Sequence, residues 1–133
     1  MALASESARL IDTDILVDAL RGVADAVNFL TLQHAQSVIQ LSVVSAMELI
    51  AGCRNAQELT RLQQFLQQAT IIPIDTEVSW KAHQLMKEFF LSHGLLIPDA
   101  LIAATALQHE LTLCTRNSRH FQMIPELKLL RPY

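Results

Sequence analysis

One helix near the C-terminal end constrains the fold more than any other segment. Residues 97–107 carry Asp99 close to their start and are otherwise almost wholly apolar. A helix without a polar face has to be buried on all sides. We therefore predict a buried helix over residues 99–109, with Asp99 at its N-terminus and at the edge of the core. A carboxylate in that place can serve a charged site, or it can simply cap the helix.

The size and composition indicate a single globular domain over residues 1–133, with residues 1–8 as a flexible N-terminal extension. The 133 residues are 51% hydrophobic, which is enough for a real core. Cys53 and Cys114 stand far apart and make no disulfide framework, which favours a reducing cytoplasm. No signal peptide or apolar run of membrane-spanning length is expected. The net charge of −3 argues against broad electrostatic binding of nucleic acid, but it leaves room for a small acidic metal site.

Strand patterns alternate with helix patterns along the chain. Strands are predicted at residues 9–12, 38–43, 70–74, 111–115 and 127–130, and most of the segments between them have helical periodicity. Asp75 or Thr76 is predicted to cap the longest of these helices, and Gly94 to end it. Such alternation predicts an α/β fold with a parallel sheet covered by helices on both faces. Ligands of these sheets bind outside the carboxyl ends of the strands.

Four polar residues fall at positions that this topology brings to one edge. Asp12 ends the first strand, Glu48 lies just after the second, Asp99 opens the apolar helix, and Asn117 follows the fourth strand. Three carboxylates and an amide at one edge repel each other unless a cation neutralises them. Oxygen ligands in this number suit Mg²⁺ or Mn²⁺. Such ions activate water for phosphodiester hydrolysis.

Each of these residues also has a purely structural interpretation. Asp12 can start a turn, and Asn117 is a common turn residue. Glu48 lies three residues after Ser45, which is the spacing of a helix capping box. Asp99 can act only as a cap. The structural interpretations remain open for each residue taken alone, but they become less convincing for the set of four.

The chain at this point resembles a known family. The segments DTDILVD (12–18), SAMEL (45–49), PDALIAATA (98–106) and TRNSRHF (115–121) are similar to the four motifs of PIN-domain ribonucleases, in the same order. The similarity is strongest to VapC-type toxins of toxin–antitoxin pairs. It implies an α/β/α sandwich and an endoribonuclease that depends on Mg²⁺ or Mn²⁺. It also implies a homodimer that a small antitoxin protein inhibits.

The resemblance assigns roles to individual residues. Asp12, Glu48 and Asp99 match the three metal-binding acids of the family. The fourth motif often carries an aspartate where this chain has Asn117 or His120, so the resemblance implies a weak second metal site. Asn117 is expected to complete or position the metal site.

Further expectations concern RNA and the surface. Thr115, Arg116, Arg119 and His120 are candidate substrate-binding residues beside the metal site. Arginine donates two parallel hydrogen bonds to phosphate, and His120 can hold a water or a phosphate. The hydroxyls of Thr13 and Thr115 can orient water or a carboxylate. The helical segments 28–36 and 55–69 are the candidate surface for a dimer or an antitoxin.

Three further charged side chains are expected to have no part in the site. Asp14 is expected to cap the helix that follows it. Asp18 is expected to be solvated, and so is Arg54 on the surface.

Three rival functions remain. A PIN-like domain can bind RNA or protein without cutting, and the missing fourth acid favours this alternative. The pair Asp12 and Asp14 is also similar to the nucleophile motif of haloacid-dehalogenase-type phosphatases. That fold and a response-regulator receiver both need a lysine after a late strand. The chain has only Lys81, Lys87 and Lys128, none of them suitably placed.

Overall fold

The computed structural model describes residues 8–133. Most of the predicted flexible extension, residues 1–7, lies outside the described residues. Ala8 does not behave as part of an extension. Its carbonyl oxygen accepts a hydrogen bond of 3.0 Å from the Thr112 amide, and its side chain packs against the core. Ala8 therefore belongs to the folded domain.

Strands and helices alternate as the sequence pattern predicts. The strands are β1 (Arg9–Ile11), β2 (Gln40–Ser42), β3 (Thr70–Ile72), β4 (Thr112–Cys114) and β5 (Leu129–Leu130). The helices are α1 (Thr13–Leu20), α2 (Ala24–Gln36), α3 (Val43–Ala51), α4 (Ala56–Gln67), α5 (Thr76–His93) and α6 (Ile97–Gln108). A short 3₁₀ turn covers Ser118–His120. The strands are shorter than predicted, whereas α5 and α6 lie within two residues of their predicted bounds.

All strand pairs are parallel, which confirms the predicted sheet. β4 lies between β1 and β5, with Ile11 opposite Cys114, and β2 pairs with β3. The two ladders meet where β1 lies against β2. Because every strand runs the same way, the carboxyl ends of β1, β2 and β4 share one edge of the sheet. We call this the carboxyl edge.

Two hydrophobic layers cover the two faces of the sheet. Leu10 of β1 and Leu113 of β4 point into the layer formed with α5 and α6. Their neighbours Ile11 and Cys114 point into the opposite layer, formed with α1 and parts of α2, α3 and α4. Successive side chains of a strand point to opposite faces, so short strands buried on both sides define a three-layer α/β/α sandwich. This confirms the predicted fold class.

Two helix starts differ from the prediction. Ser42, and not Ser45, caps α3: the Val44 amide donates to Ser42 Oγ at 3.0 Å. The proposed capping box of Ser45 and Glu48 is therefore wrong, because the helix begins directly after β2. Helix α6 begins at Ile97, so Asp99 lies inside its first turn and makes no capping hydrogen bond. The carboxylates of Glu48 and Asp99 are not used to cap a helix.

The predicted ends of α5 are confirmed. The Val78 amide donates to Asp75 Oδ1 at 2.8 Å, and Gly94 ends the helix in the left-handed region, with φ of 68°. Glycine adopts this conformation without the steric cost that other residues incur. Within residues 8–133, no helix is both long and apolar enough to cross a membrane.

Candidate metal centre and substrate cleft

Asp12 is the most deeply buried acid of the carboxyl edge. It caps α1: its Oδ1 accepts from the Thr13 amide and its Oδ2 from the Thr115 hydroxyl, both at 2.8 Å. The side chain is buried, with 5% of the residue surface exposed. Burial raises the pKa of Asp12 to about 7, and the nearby charges of Asp14 and Asp99 add to this rise. A cation beside Asp12 would stabilise the charged carboxylate and so offset the cost of burying it.

Asp14 belongs to the site and does not cap the helix as predicted. Asp12 already occupies the cap position, so the Asp14 side chain turns toward the loop after β4. There its Oδ2 accepts from the Arg116 amide at 2.9 Å, while its Oδ1 accepts from the Ile15 amide at 2.8 Å. Partial burial raises the pKa of Asp14, and the hydrogen bonds oppose that rise. In the sequence, the feature that indicates this role is the position of Asp14 two residues after Asp12.

Glu48 lies on α3 at the carboxyl edge, and the Thr13 hydroxyl holds its carboxylate. The Thr13 hydroxyl lies 2.7 Å from Glu48 Oε1 and 2.8 Å from Ser45 Oγ. A carboxylate can only accept, and a hydroxyl carries one proton. Thr13 therefore donates to Glu48 and accepts from Ser45, whose side chain is fully buried. The sequence predicted that the Thr13 hydroxyl can orient water or a carboxylate, and in the structure that carboxylate is Glu48. No such role was predicted for Ser45.

Asp99 approaches the same place from the first turn of α6. Partial burial raises the pKa of its carboxyl group, the charge of His120 opposes this, and the charges of Glu48 and Asp14 add to it. His120 Nδ1 lies 3.5 Å from Asp99 Oδ2. The buried body of α6 fixes the backbone of Asp99 against the sheet, as expected from its apolar sequence.

The loop after β4 carries Thr115 and Asn117. The Thr115 hydroxyl donates to Asp12 and accepts from the Asn117 amide at 3.0 Å. Thr115 is completely buried, so the prediction that it contacts substrate is wrong: its hydroxyl orients Asp12 and Asn117 instead. The Asn117 side chain is exposed at the start of the 3₁₀ turn.

The donor chemistry of this edge fits a hard divalent cation. Asp12 and Asp14 both lie within reach of the Thr115 hydroxyl, at 2.8 and 3.4 Å. Glu48 accepts from the hydroxyl of Thr13, whose amide donates to Asp12, and the charge of Asp99 contributes to the raised pKa of Asp12, so the four acids lie along one edge. Among residues 8–133, no three metal-ligating side chains already converge on one point. Like charges hold carboxylates apart until a cation offsets the repulsion. Four acids offering only oxygen atoms are suitable ligands for Mg²⁺ or Mn²⁺.

A cleft of about 460 Å³ opens beside these acids. It is lined by residues of α1, the loop after β4 and the segment after β5: Asp14, Asp18, Arg116, Asn117, Ser118, Arg119, His120 and Arg131. Arg119 and His120 are exposed at this cleft. Arg131 was not among the predicted residues, because it lies beyond the four motifs.

Arg116 is held by an ion pair and an aromatic ring. Its Nη1 lies 3.3 Å from Asp18 Oδ2, and its guanidinium lies 4.8 Å from the centre of the Tyr133 ring. The Tyr133 hydroxyl donates to Asp18 at 2.9 Å. The prediction that Asp18 is solvated is therefore wrong, because two partners from distant parts of the sequence reach it.

The surface predictions are partly changed by the structure. Arg54 lies in the turn before α4, is exposed, and pairs with Glu58 of that helix at 2.7 Å, as expected. In the segment 55–69, the leucine and phenylalanine side chains of α4 are at least half-buried. Most of the exposed large apolar side chains lie at the α1–α2 joint, on α2 and α3, and near the α5–α6 joint: Leu20, Val23, Val27, Leu32, Met47, Ile50, Phe90, Leu91, Leu96 and Ile97.

Comparison with known proteins identifies the family. Residues 9–127 match the PIN domain. The chain is 36% identical to ribonuclease VapC10 of Mycobacterium tuberculosis over 120 residues, which cover 90% of each chain. It is 37% identical to ribonuclease VapC19 of the same organism over 122 residues, 90% of this chain and 97% of the relative.

Solved structures show the same architecture. A toxin–antitoxin complex from Klebsiella pneumoniae contains a chain that is 32% identical and superposes with a TM-score of 0.78, covering 94% of this chain and 98% of that one. VapBC2 from Rickettsia felis, bound to a DNA fragment from its promoter, matches at 26% identity with a TM-score of 0.76, over 92% of this chain and 96% of that one. The chain therefore belongs to the PIN domain family and, within it, to the VapC ribonucleases.

Proposed function

We propose that this protein is an Mg²⁺- or Mn²⁺-dependent endoribonuclease toxin that hydrolyses RNA phosphodiester bonds. The observation that carries the proposal is the meeting of four acids at the carboxyl edge, directly beside a cleft with basic residues. The relatives named ribonuclease support the activity.

Each acid has a distinct task in this proposal. Asp12, Glu48 and Asp99 hold the cation, and Asn117 supplies or positions a neutral oxygen. Asp14, which accepts a hydrogen bond from the backbone of the loop after β4, adds negative charge beside this set. A bound divalent cation supplies Lewis acidity, which lowers the pKa of water and offsets negative charge on the phosphate.

Hydroxyl groups position this set. Thr115 holds Asp12, and Thr13 holds Glu48, each through a short hydrogen bond. Asp12 itself is buried and accepts hydrogen bonds through both oxygens, which does not suit the free nucleophile of a haloacid-dehalogenase-type phosphatase.

A small antitoxin protein is the proposed inhibitor. The toxin–antitoxin complex from Klebsiella pneumoniae and VapBC2 from Rickettsia felis support this partner. We also propose a homodimer and a cytoplasmic location. The free cysteines Cys53 and Cys114 are compatible with a reducing compartment.

The test is an RNA cleavage assay with structured RNA and Mg²⁺ or Mn²⁺, set against the same assay with EDTA. The variant Asp99→Asn removes one proposed ligand. Asp25→Asn is the matched control, because Asp25 is an exposed acid in the first turn of α2, away from the carboxyl edge. Cleavage should require metal, disappear in Asp99→Asn and persist in Asp25→Asn.

The opposite result identifies the rival function. Intact RNA under all conditions, together with no Mn²⁺ binding by calorimetry, would show a PIN-like module that binds RNA or protein without cutting. Asn117 in place of a fourth acid is the observation that favours this rival.

A further inference from the structure

The cleft beside the metal centre is lined by both acidic and basic side chains. Asp14 lies on this cleft, and its charge contributes to the raised pKa of Asp12. Arg119 of the 3₁₀ turn and Arg131 of the segment after β5 line the same cleft. An RNA strand whose cleaved phosphate lies at the proposed metal site carries a second phosphate next to it, and a phosphate that enters this cleft meets the two arginines.

Arg116 is the arginine that sequence position favours for phosphate binding, but its side chain is already engaged. Asp18 neutralises its charge at 3.3 Å and Tyr133 covers its guanidinium. The Arg116 amide also donates to Asp14 at 2.9 Å. These contacts fix the loop that carries Thr115 and Asn117. Arg116 is therefore a positioning residue.

Arg119 and Arg131 are in the opposite situation. Both are exposed, and neither forms an ion pair within the part of the chain that the structure describes. Arg131 Nε donates to the Tyr133 carbonyl oxygen at 3.2 Å, which orients the guanidinium and leaves its two terminal amino groups for a ligand. Phosphate oxygens are well matched to such a pair of donors.

We propose that Arg119 and Arg131 form a subsite for one backbone phosphate of RNA, next to the phosphodiester that is cut. The subsite rests on the proposed ribonuclease function. The two proposals can be tested separately. The subsite requires only that two arginines bind a phosphate, whereas the ribonuclease function requires a metal and cleavage.

The test measures the binding of a fluorescent single-stranded RNA by anisotropy, in EDTA, at several salt concentrations. Each phosphate contact contributes about 0.7 to the slope of log K against log salt for single strands. Because the two arginines share one phosphate, Arg119→Gln and Arg131→Gln should each reduce the magnitude of the slope, and the double variant should reduce it by about 0.7 in all. Each single variant should weaken binding roughly tenfold at low salt. Arg131→Lys should keep the slope, because it keeps the charge.

Another arginine provides the control. Arg61→Gln changes an exposed arginine of α4, away from the cleft, and should leave the slope unchanged.

Either of two results would overturn the subsite: an unchanged slope in both Arg119→Gln and Arg131→Gln, or an equal loss of slope in Arg61→Gln. Metal-dependent cleavage by the unaltered protein is scored separately. Cleavage with an unchanged slope refutes only the subsite, whereas a reduced slope without any cleavage refutes only the ribonuclease function.

Discussion

The two halves of the acidic site are built differently. Asp12 and Asp14 come from the β1–α1 junction, and each accepts at least two hydrogen bonds from backbone amides or the buried Thr115 hydroxyl. Glu48 and Asp99 come from helices. Glu48 is held by the Thr13 hydroxyl, and Asp99 lies 3.5 Å from a half-exposed histidine.

We call Asp12 and Asp14 the fixed half of the acidic site, and Glu48 and Asp99 its adjustable half. A carboxylate with several donors keeps its position whether or not a cation is bound, and this is what preorganisation requires. A carboxylate with one contact can move toward a cation that offsets the repulsion. The absence of a converged ligand set among the described residues agrees with this division. Predictions on the fixed half therefore concern stability, and those on the adjustable half concern metal affinity.

The largest effect is expected for Asp12→Asn. Asp12 has a pKa of about 7 in the folded protein and 3.8 as its ordinary value. The folded state therefore holds more protons than the unfolded state between these pH values, so stability falls as pH rises from about 4 to 7. The loss is of the order of 4 kcal/mol, at 1.36 kcal/mol per pH unit. Urea unfolding at pH 5 and pH 8 in EDTA measures the part of this loss above pH 5, which is about 2.7 kcal/mol.

Asp12→Asn should remove most of this pH dependence. The variant should be more stable than the unaltered protein at pH 8 without metal, gain little from added Mg²⁺, and lose RNA cleavage. A smaller dependence of the same sign remains, because burial also raises the pKa of Asp14 and Asp99. Stability of the unaltered protein that increases from pH 5 to pH 8 in EDTA would refute the account of the fixed half.

The next effect is expected for Thr13→Val in the adjustable half. The variant loses the 2.7 Å hydrogen bond to Glu48, so Mn²⁺ affinity should fall about 10- to 100-fold, as is typical when a residue that orients a ligand is changed. It also leaves the buried Ser45 hydroxyl without its partner, at a cost of about 1–3 kcal/mol. Calorimetric titration with Mn²⁺ and thermal unfolding measure the two losses.

The double variant Thr13→Val with Ser45→Ala separates these effects. It removes the orphaned hydroxyl and should recover part of the stability, while Mn²⁺ affinity stays low. Recovery of both quantities together would mean that Thr13 supports only the packing of α3 and does not orient Glu48.

Local and regular features were predictable from the sequence. The apolar run of α6 predicted a buried helix, and strand–helix alternation predicted the parallel sheet and hence the shared edge of Asp12 and Glu48. The strands were overestimated because apolar residues continue beyond the paired residues: Val38 lies before β2 and is 51% exposed. Capping was misassigned at Ser45 and Asp99, because one turn of displacement changes which side chain meets the free amides.

The contacts that were missed join distant parts of the chain. Tyr133 and Asp18 are separated by 115 positions, and no local pattern marks their hydrogen bond. Contacts with Asp18 and Tyr133 also hold the Arg116 side chain. Its position beside Asn117 in the sequence does not reveal these contacts. Thr13 was predicted only to orient water or a carboxylate near the edge. Its specific role follows from the side-by-side placement of α1 and α3, which only the folded structure reveals.

The smallest effect is expected for His120→Ala. His120 is more than half exposed, and its contact with Asp99 spans 3.5 Å, so solvent screens the pair and the stability should change by less than about 0.5 kcal/mol. Mn²⁺ affinity at pH 7 should change less than about threefold, because a divalent cation near Asp99 would replace the favourable charge of the histidine. Thermal unfolding and Mn²⁺ titration beside Thr13→Val make the comparison direct. If His120→Ala weakened Mn²⁺ binding as strongly as Thr13→Val, His120 would be a fixed partner of Asp99, and the adjustable half would be reduced to Glu48 alone.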